Sequence, residues 1–177
     1  MNLFQERTYR TQFNSERFTG FEISYLETDL WIGVDSDSFN LEMKELALDK
    51  IKSLRKQFDE YIKSEPFFKK SLKPFHPSGF APSEAVEMAV AAEKAGIGPM
   101  SAVAGLFARE IGEEIIQNFS VNELVVENGG DIYVLLKDEL IRRLCKLQYH
   151  PLLLIWLFHP KKTNLEFVLR LEQLAHR

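Results

Sequence analysis

Glu123-Leu124-Val125-Val126-Glu127-Asn128-Gly129-Gly130-Asp131-Ile132-Tyr133-Val134-Leu135-Leu136 decides the fold. Glu123 to Val126 and Ile132 to Leu136 are apolar runs of strand length. Asn128-Gly129 between them signals a hairpin, because both central residues of a type I′ turn need positive φ. Upstream, Phe18 to Leu26 carries Phe21, Ile23 and Tyr25 at period two, and Thr28 to Val34 carries Leu30, Ile32 and Val34 likewise. Tyr9 to Phe13 alternates more weakly and ends at the turn signal Asn14-Ser15-Glu16. The middle of the chain changes period. From Leu41 to Lys63, Ala47, Ile51, Leu54, Phe58 and Tyr61 recur at helical spacing, with Ser38 or Asn40 as cap. Pro66 ends that helix, and Pro74 and Pro77 keep the chain irregular up to Phe80. A second helix starts at Pro82 and stops at Gly96, and Gly98-Pro99 opens a third that reaches Asn118. Strands first, helices next and a hairpin last predict an α+β fold, a mainly antiparallel sheet with helices packed on one face.

The 177 residues fit one domain. A net charge of -4 gives no reason to expect nucleic acid as a partner. The single cysteine, Cys145, fits a reducing cytoplasm. The first residues mix acid and base with no apolar core, so no signal peptide is visible. The apolar run from Leu152 to Phe158 is too short to span a bilayer. The average conceals a break. Residues 1–140 hold 15 basic and 24 acidic side chains, whereas 141–177 hold 7 and 2 and contain no glycine. The expectation is a domain over 1–140 followed by a basic, apolar tail over 141–177, which also carries Cys145, His150, His159 and His176.

Two segments combine low side-chain bulk with polar groups. The first is Gly98-Pro99-Met100-Ser101-Ala102-Val103-Ala104-Gly105, and on the helix from Pro99 the small residues Ser101, Ala104, Gly105, Ala108 and Gly112 recur at spacings of three and four. Such a strip serves either tight helix packing or close approach of a flat ligand. The free amides of a helix start attract phosphate or carboxylate. In the second segment, Glu127 and Asp131 bracket the glycine turn, and oxygen ligands so placed can hold Mg²⁺ together with a phosphate. Glu27-Thr28-Asp29 is another oxygen-rich turn. His76, on the proline-rich loop, is either an acid–base group or structural. Ser101 has no visible base, so nucleophilic catalysis has no support.

These motifs resemble the compact, uncharacterised ApbE-like proteins, relatives of the ApbE flavin transferases. Arg7-Thr8-Tyr9-Arg10, Glu27-Thr28-Asp29-Leu30-Trp31-Ile32, Ala81-Pro82, the segment from Gly98 to Gly105 and Val126-Glu127-Asn128-Gly129-Gly130-Asp131-Ile132-Tyr133 carry the likeness in order. ApbE enzymes proper use FAD and Mg²⁺ to attach FMN to a threonine or serine of a target flavoprotein. The resemblance therefore implies an ApbE-like fold and a flavin, FAD or FMN, or another phosphate-bearing ligand held with Mg²⁺. It implies Gly98, Met100, Ser101 and Gly105 for close backbone approach. Asn128, Gly129, Gly130 and Asp131 would form the facing wall, with Asp131 in the metal shell. A protein substrate or a partner in sulfur metabolism would go with it. The other function it implies is a non-catalytic accessory role in sulfide assimilation into homocysteine, an association known in some archaea.

The likeness stops near residue 140. The family continues with glycine-rich strands, a Cys-Thr-Ser-Ser-Gly-Thr loop and a small-residue helix with an aspartate, none of which is present. Codons for Leu165 to Arg177 can be chosen so that the other phase reads Arg-Ile-Cys-Thr-Ser-Ser-Gly-Thr-Val-Gly-Pro-Ser, the missing loop. The expectation is a reading frame that slips near residue 140, leaving the fold incomplete at its C-terminus. The tail would then pack poorly or form an opportunistic helix, and the chain would be inactive.

Overall fold

A computed structural model describes residues 17–136 together with 153–156 and 165–171. The weak strand over 9–13, the Arg7-Thr8-Tyr9-Arg10 match, Cys145, His150, His159 and His176 lie outside them. Strands β1 (Phe18–Tyr25) and β2 (Thr28–Asp35) open the fold. Helices α1 (Glu42–Ser64), α2 (Pro66–Lys70) and α3 (Ser83–Lys94) follow. A 3₁₀ turn (Pro99–Ala102) then leads into α4 (Val103–Asn118). Strands β3 (Leu124–Asn128), β4 (Asp131–Leu136), β5 (Leu153–Trp156) and β6 (Leu165–Leu171) complete the order. The described strands form one sheet, β1-β2-β3-β4-β6-β5, and every neighbouring pair is antiparallel. The chain is α+β, as the change of period predicts.

Strand register decides which side chains form the core. Ile32 lies opposite Val126, and Val126 opposite Tyr133. Leu30, Ile32, Val34, Leu124, Val126, Tyr133 and Leu135 thus share the helix-side face, and all are buried. Against them pack Met43, Ala47, Ile51, Leu54 and Phe58 of α1 and Leu106, Phe107, Ile111 and Ile115 of α4. Each fully buried side chain of this size contributes about 1.5–3 kcal/mol of transfer free energy. Gly112 sets the closeness of α4 to the sheet, because a Cβ there would overlap the Tyr133 ring. The opposite face is buried too. Trp31, at 3% exposure, lies across Gly20 and Gly33, whose missing Cβ atoms make room for its indole.

Electrostatics fasten the ends of these elements. At the end of β2, the Asp35 carboxylate accepts the amides of Asn122 and Glu123 (3.1 and 2.9 Å) and the Ser38 hydroxyl (2.7 Å). Ser38 is therefore spent on Asp35, and Asn40 Oδ1 accepts the Glu42 N–H at the start of α1 (2.9 Å). Arg109, 9% exposed, pairs with Glu87 of α3 and with Glu110 (2.6 Å each). Lys50 of α1 bridges Glu110 and Glu114 (3.2 and 3.1 Å). Desolvation pulls the Arg109 guanidinium down, but Glu87, Glu110 and Glu113 outweigh it and hold it charged. Gly96, at φ +70°, ends α3 with paired bonds, its own N–H to Glu93 and the Ile97 N–H to Ala92.

Three expectations are corrected here. Pro66 ends α1 but also begins the short helix α2, since proline costs nothing at a first turn where no amide bond is needed. The β3–β4 turn is centred on Gly129-Gly130 (φ +61° and +96°), one residue later than expected. Asn128 pairs with Asp131 as the last rung of the ladder. The tail holds no opportunistic helix among the described residues. Leu165, Phe167, Leu169 and Leu171 alternate at period two, and β6 pairs along β4 from Asp131↔Arg170 to Leu136↔Leu165. The β4 edge is thereby covered.

Gly112→Ala should destabilise the fold by about 1–3 kcal/mol, because Tyr133 cannot retreat from the sheet; urea denaturation reads the change. Leu26, 70% exposed and left-handed at φ 53°, costs about 1–2 kcal/mol that Leu26→Gly should relieve, seen as a higher urea midpoint. At Asp35, partial burial raises the carboxyl pKa, while bonds from Ser38, Glu123 and Asn122 lower it further, so the net shift is downward. Its contribution is present above the ordinary value of 3.8 and is lost as pH falls below that through the folded value. The wild-type melting temperature should therefore fall more steeply than that of Asp35→Asn over this acid range.

Candidate functional site

The two low-bulk segments meet. Asn128 projects to the helix side of the sheet, and its Nδ2 donates to the Ala104 carbonyl at 3.0 Å. This bond joins the last rung before the glycine turn to the first turn of α4. The turn itself opens outward, and nothing lies within 4 Å of where a Gly129 Cβ would sit. Asp131, paired with Asn128 and 5% exposed, shares its face. One backbone corner thus gathers Ala104, Asn128, Gly129, Gly130 and Asp131.

Ahead of α4, the 3₁₀ turn packs among the helices and is closed by Ser101. Its backbone N–H and its hydroxyl both donate to the Gly98 carbonyl, at 3.1 and 2.7 Å. The low bulk of Gly98 serves the chain itself: a Cβ there would overlap the Ser71 carbonyl and crowd Leu72. Gly98 therefore fastens the loop after α2 to the start of the 3₁₀ turn. Met100 packs on the core while half-buried, and Gly105 is buried. Gly112 belongs to helix-on-sheet packing. The small-residue strip divides: its C-terminal end serves packing, and its N-terminal end lies beside the hairpin.

Glu127 and Asp131 do not face one another. Adjacent rungs point to opposite sides of a sheet, so Glu127, beside Asn128 on β3, projects away from the helices. It is fully buried and its Oε1 accepts the Gly130 N–H at 2.8 Å, a contact that braces the turn. The expected bracket of two carboxylates is thus corrected to one carboxylate, Asp131, on the helix side. Among the described residues, no three His, Cys, Asp or Glu side chains are gathered closely enough to hold a metal ion.

The remaining candidates separate from this corner. At the β1–β2 turn, Arg55 of α1 pairs with Glu27 and donates to Thr28 Oγ1 at 2.9 Å, while Asp29 Oδ1 accepts from Ser24 at 3.0 Å. A backbone bond within Glu27, then Arg55, hold its carboxyl below the usual range. That turn reads as a strap of α1 onto the hairpin. His76 is exposed on the loop between α2 and α3. Sequence reasoning missed the Asn128–Ala104 bond, the Gly98–Ser71 contact and the buried Arg109. Only the alternation of Asn128 with Val126 on one strand face held a hint of the first.

No described helix is long and apolar enough to cross a membrane. A family profile described as "AbpE bacteria" matches residues 10–161, running past the break in composition at residue 140. The chain is 38% identical over 107 residues to a UPF0280 protein of Methanococcoides burtonii, covering 60% of this chain and 43% of that protein. Against a UPF0280 protein of Methanopyrus kandleri it is 34% identical over 126 residues, covering 71% and 48%. A UPF0280 protein of Methanocaldococcus jannaschii is 33% identical over 115 residues, covering 65% and 44%. The chain spans less than half the length of these relatives. With the profile covering most of its length and its hairpin and helix start in the expected order, the chain belongs to the bacterial AbpE family, an ApbE-like family.

Proposed function

We propose that this family member binds a flavin nucleotide, or another phosphate-bearing ligand, at the corner where the first turn of α4, at Ala104, meets the Gly129-Gly130 hairpin. The observation that carries the reading is the 3.0 Å bond from Asn128 Nδ2 to the Ala104 carbonyl. It fixes two low-bulk backbone segments against each other, so that few side chains obstruct a ligand approaching that corner. The left-handed Gly129, with open space at its Cβ position, keeps that approach clear. Asp131 would supply one oxygen to a Mg²⁺ held largely by phosphate and water. Flavin transfer to a protein hydroxyl is the reaction class that the ApbE likeness suggests, and no residue of this chain is assigned to that step.

The altered composition after residue 140 supports the out-of-phase reading of residues 141–177. On that reading the pocket lacks its third wall, and the chain as it stands binds flavin weakly. Sequencing the gene across codons 135–145 checks the premise; an intact frame with no ApbE-like sequence in the other phases would dispose of it. Titration of FAD and FMN followed by flavin fluorescence, with and without Mg²⁺, should give saturable binding to the frame-restored protein. No binding of either flavin would overturn the reading and favour the accessory role in sulfur assimilation. Asn128→Ala should cost about 0.5–1.5 kcal/mol of stability through the lost bond. In the frame-restored protein it should also weaken flavin binding, whereas Lys52→Ala on the exposed face of α1 should not.

A further inference from the structure

Residues 66–82 carry Lys69, Lys70 and Lys73 and no acidic side chain, within a chain of net charge -4. All three lysines are exposed, and none makes a salt bridge among the described residues. Large apolar groups stand among them: Phe67 is 71% exposed, Leu72 88% and Phe80 100%. Isolated exposed apolar residues are ordinary, but aromatic and aliphatic groups this exposed, interleaved with cations on one short segment of which only Lys69 acts on a carboxylate, that of Glu27, mark a candidate recognition surface.

The segment is built rather than loose. Phe68, fully buried, packs edge-on against Tyr61 at 5.1 Å and against Phe75 at 5.9 Å. The Ser71 hydroxyl donates to the Lys73 carbonyl at 2.7 Å. The Ser71 carbonyl sits in the space left by the missing Cβ of Gly98. Phe67 and Leu72 are therefore held outward by a fixed backbone, which lowers the ordering cost of docking. The same contact at Gly98 ties the surface to the start of the 3₁₀ turn, and so to the flank of the candidate site.

We propose that the surface from Phe67 to Phe80 docks an acidic polypeptide segment bearing apolar side chains, supplied by another protein. Charge selects this occupant. A symmetric pair of copies joined through this patch would set Lys69, Lys70 and Lys73 against their equivalents, which like-charge repulsion opposes. An acidic segment neutralises them while its apolar side chains cover Phe67, Leu72 and Phe80. The inference does not depend on flavin binding, and its test reads no flavin signal.

The test uses the full chain and a fluorescein-labelled synthetic peptide alternating glutamate with leucine and phenylalanine, followed by fluorescence anisotropy. Saturable binding is expected, weakening about tenfold or more as salt rises from 0.05 to 0.5 M, because exposed charges are screened over a shorter distance. Lys69→Glu/Lys70→Glu/Lys73→Glu should abolish it, and Phe67→Ser/Leu72→Ser/Phe80→Ser should weaken it about tenfold with the melting temperature unchanged, since every altered side chain is exposed. A peptide with serine in place of the apolar residues should bind about tenfold more weakly than the parent. Binding that neither triple variant alters overturns the proposal, as does absence of binding. Two further outcomes also overturn it: binding of phosphatidylserine–phosphatidylcholine vesicles but not of the peptide, and a concentration-dependent dimer lost in the apolar variant.

Discussion

The close seating of α4 on the β3–β4 hairpin is the constraint on which the rest depends. The Tyr133 ring occupies the place of a Gly112 side chain, and Asn128 bonds to the Ala104 carbonyl two turns earlier in the same helix. A steric contact at one point and a polar contact at another fix both the distance of the helix and its rotation about its axis. Everything on the helix side of the sheet then follows. Leu106, Phe107, Ile111 and Ile115 meet the apolar rungs of β3 and β4, and α1 closes over them through Phe58 against Phe107, at 5.9 Å between ring centres.

That seating also accounts for the position of the candidate corner. A helix held by Gly112 and Asn128 brings its first turn beside the glycine turn of the hairpin. The helix start is in turn held from the other side by the loop after α2, through Gly98 and Ser71. Main chain rather than side chain therefore forms most of the corner. The ionic cluster of Arg109 and Lys50 with the α3 and α4 carboxylates lies elsewhere on these helices and serves their mutual packing.

The fold was legible because each element carried a single dominant period. Phe21, Ile23 and Tyr25 announce β1, and the Ala47-to-Tyr61 series announces α1 within a residue of its true ends. Where two local signals competed, the reading slipped. Asn128-Gly129 and Gly129-Gly130 are both acceptable turn centres, and the choice went to Gly129-Gly130 because Asn128 gains the bond to Ala104 by staying in the ladder. Glu127 and Asp131 are close in sequence, yet the pleat sends them to opposite faces, a consequence of register that spacing alone does not carry.

The sequence by itself determined the order of strands and helices, the capping of α3 at Gly96, a glycine hairpin turn between β3 and β4 and the membership of the chain in its family. These are local matters of hydrophobic period, backbone freedom and motif order. Only the tertiary structure decided which glycines serve packing and which border an open corner, that Trp31 spreads over Gly20 and Gly33, and that Asn128 holds Ala104. It also decided that the tail contributes β6 beside β4. A missing side chain looks the same in the sequence whether a ring, a carbonyl or open space takes its place, and that difference is set by residues distant along the chain.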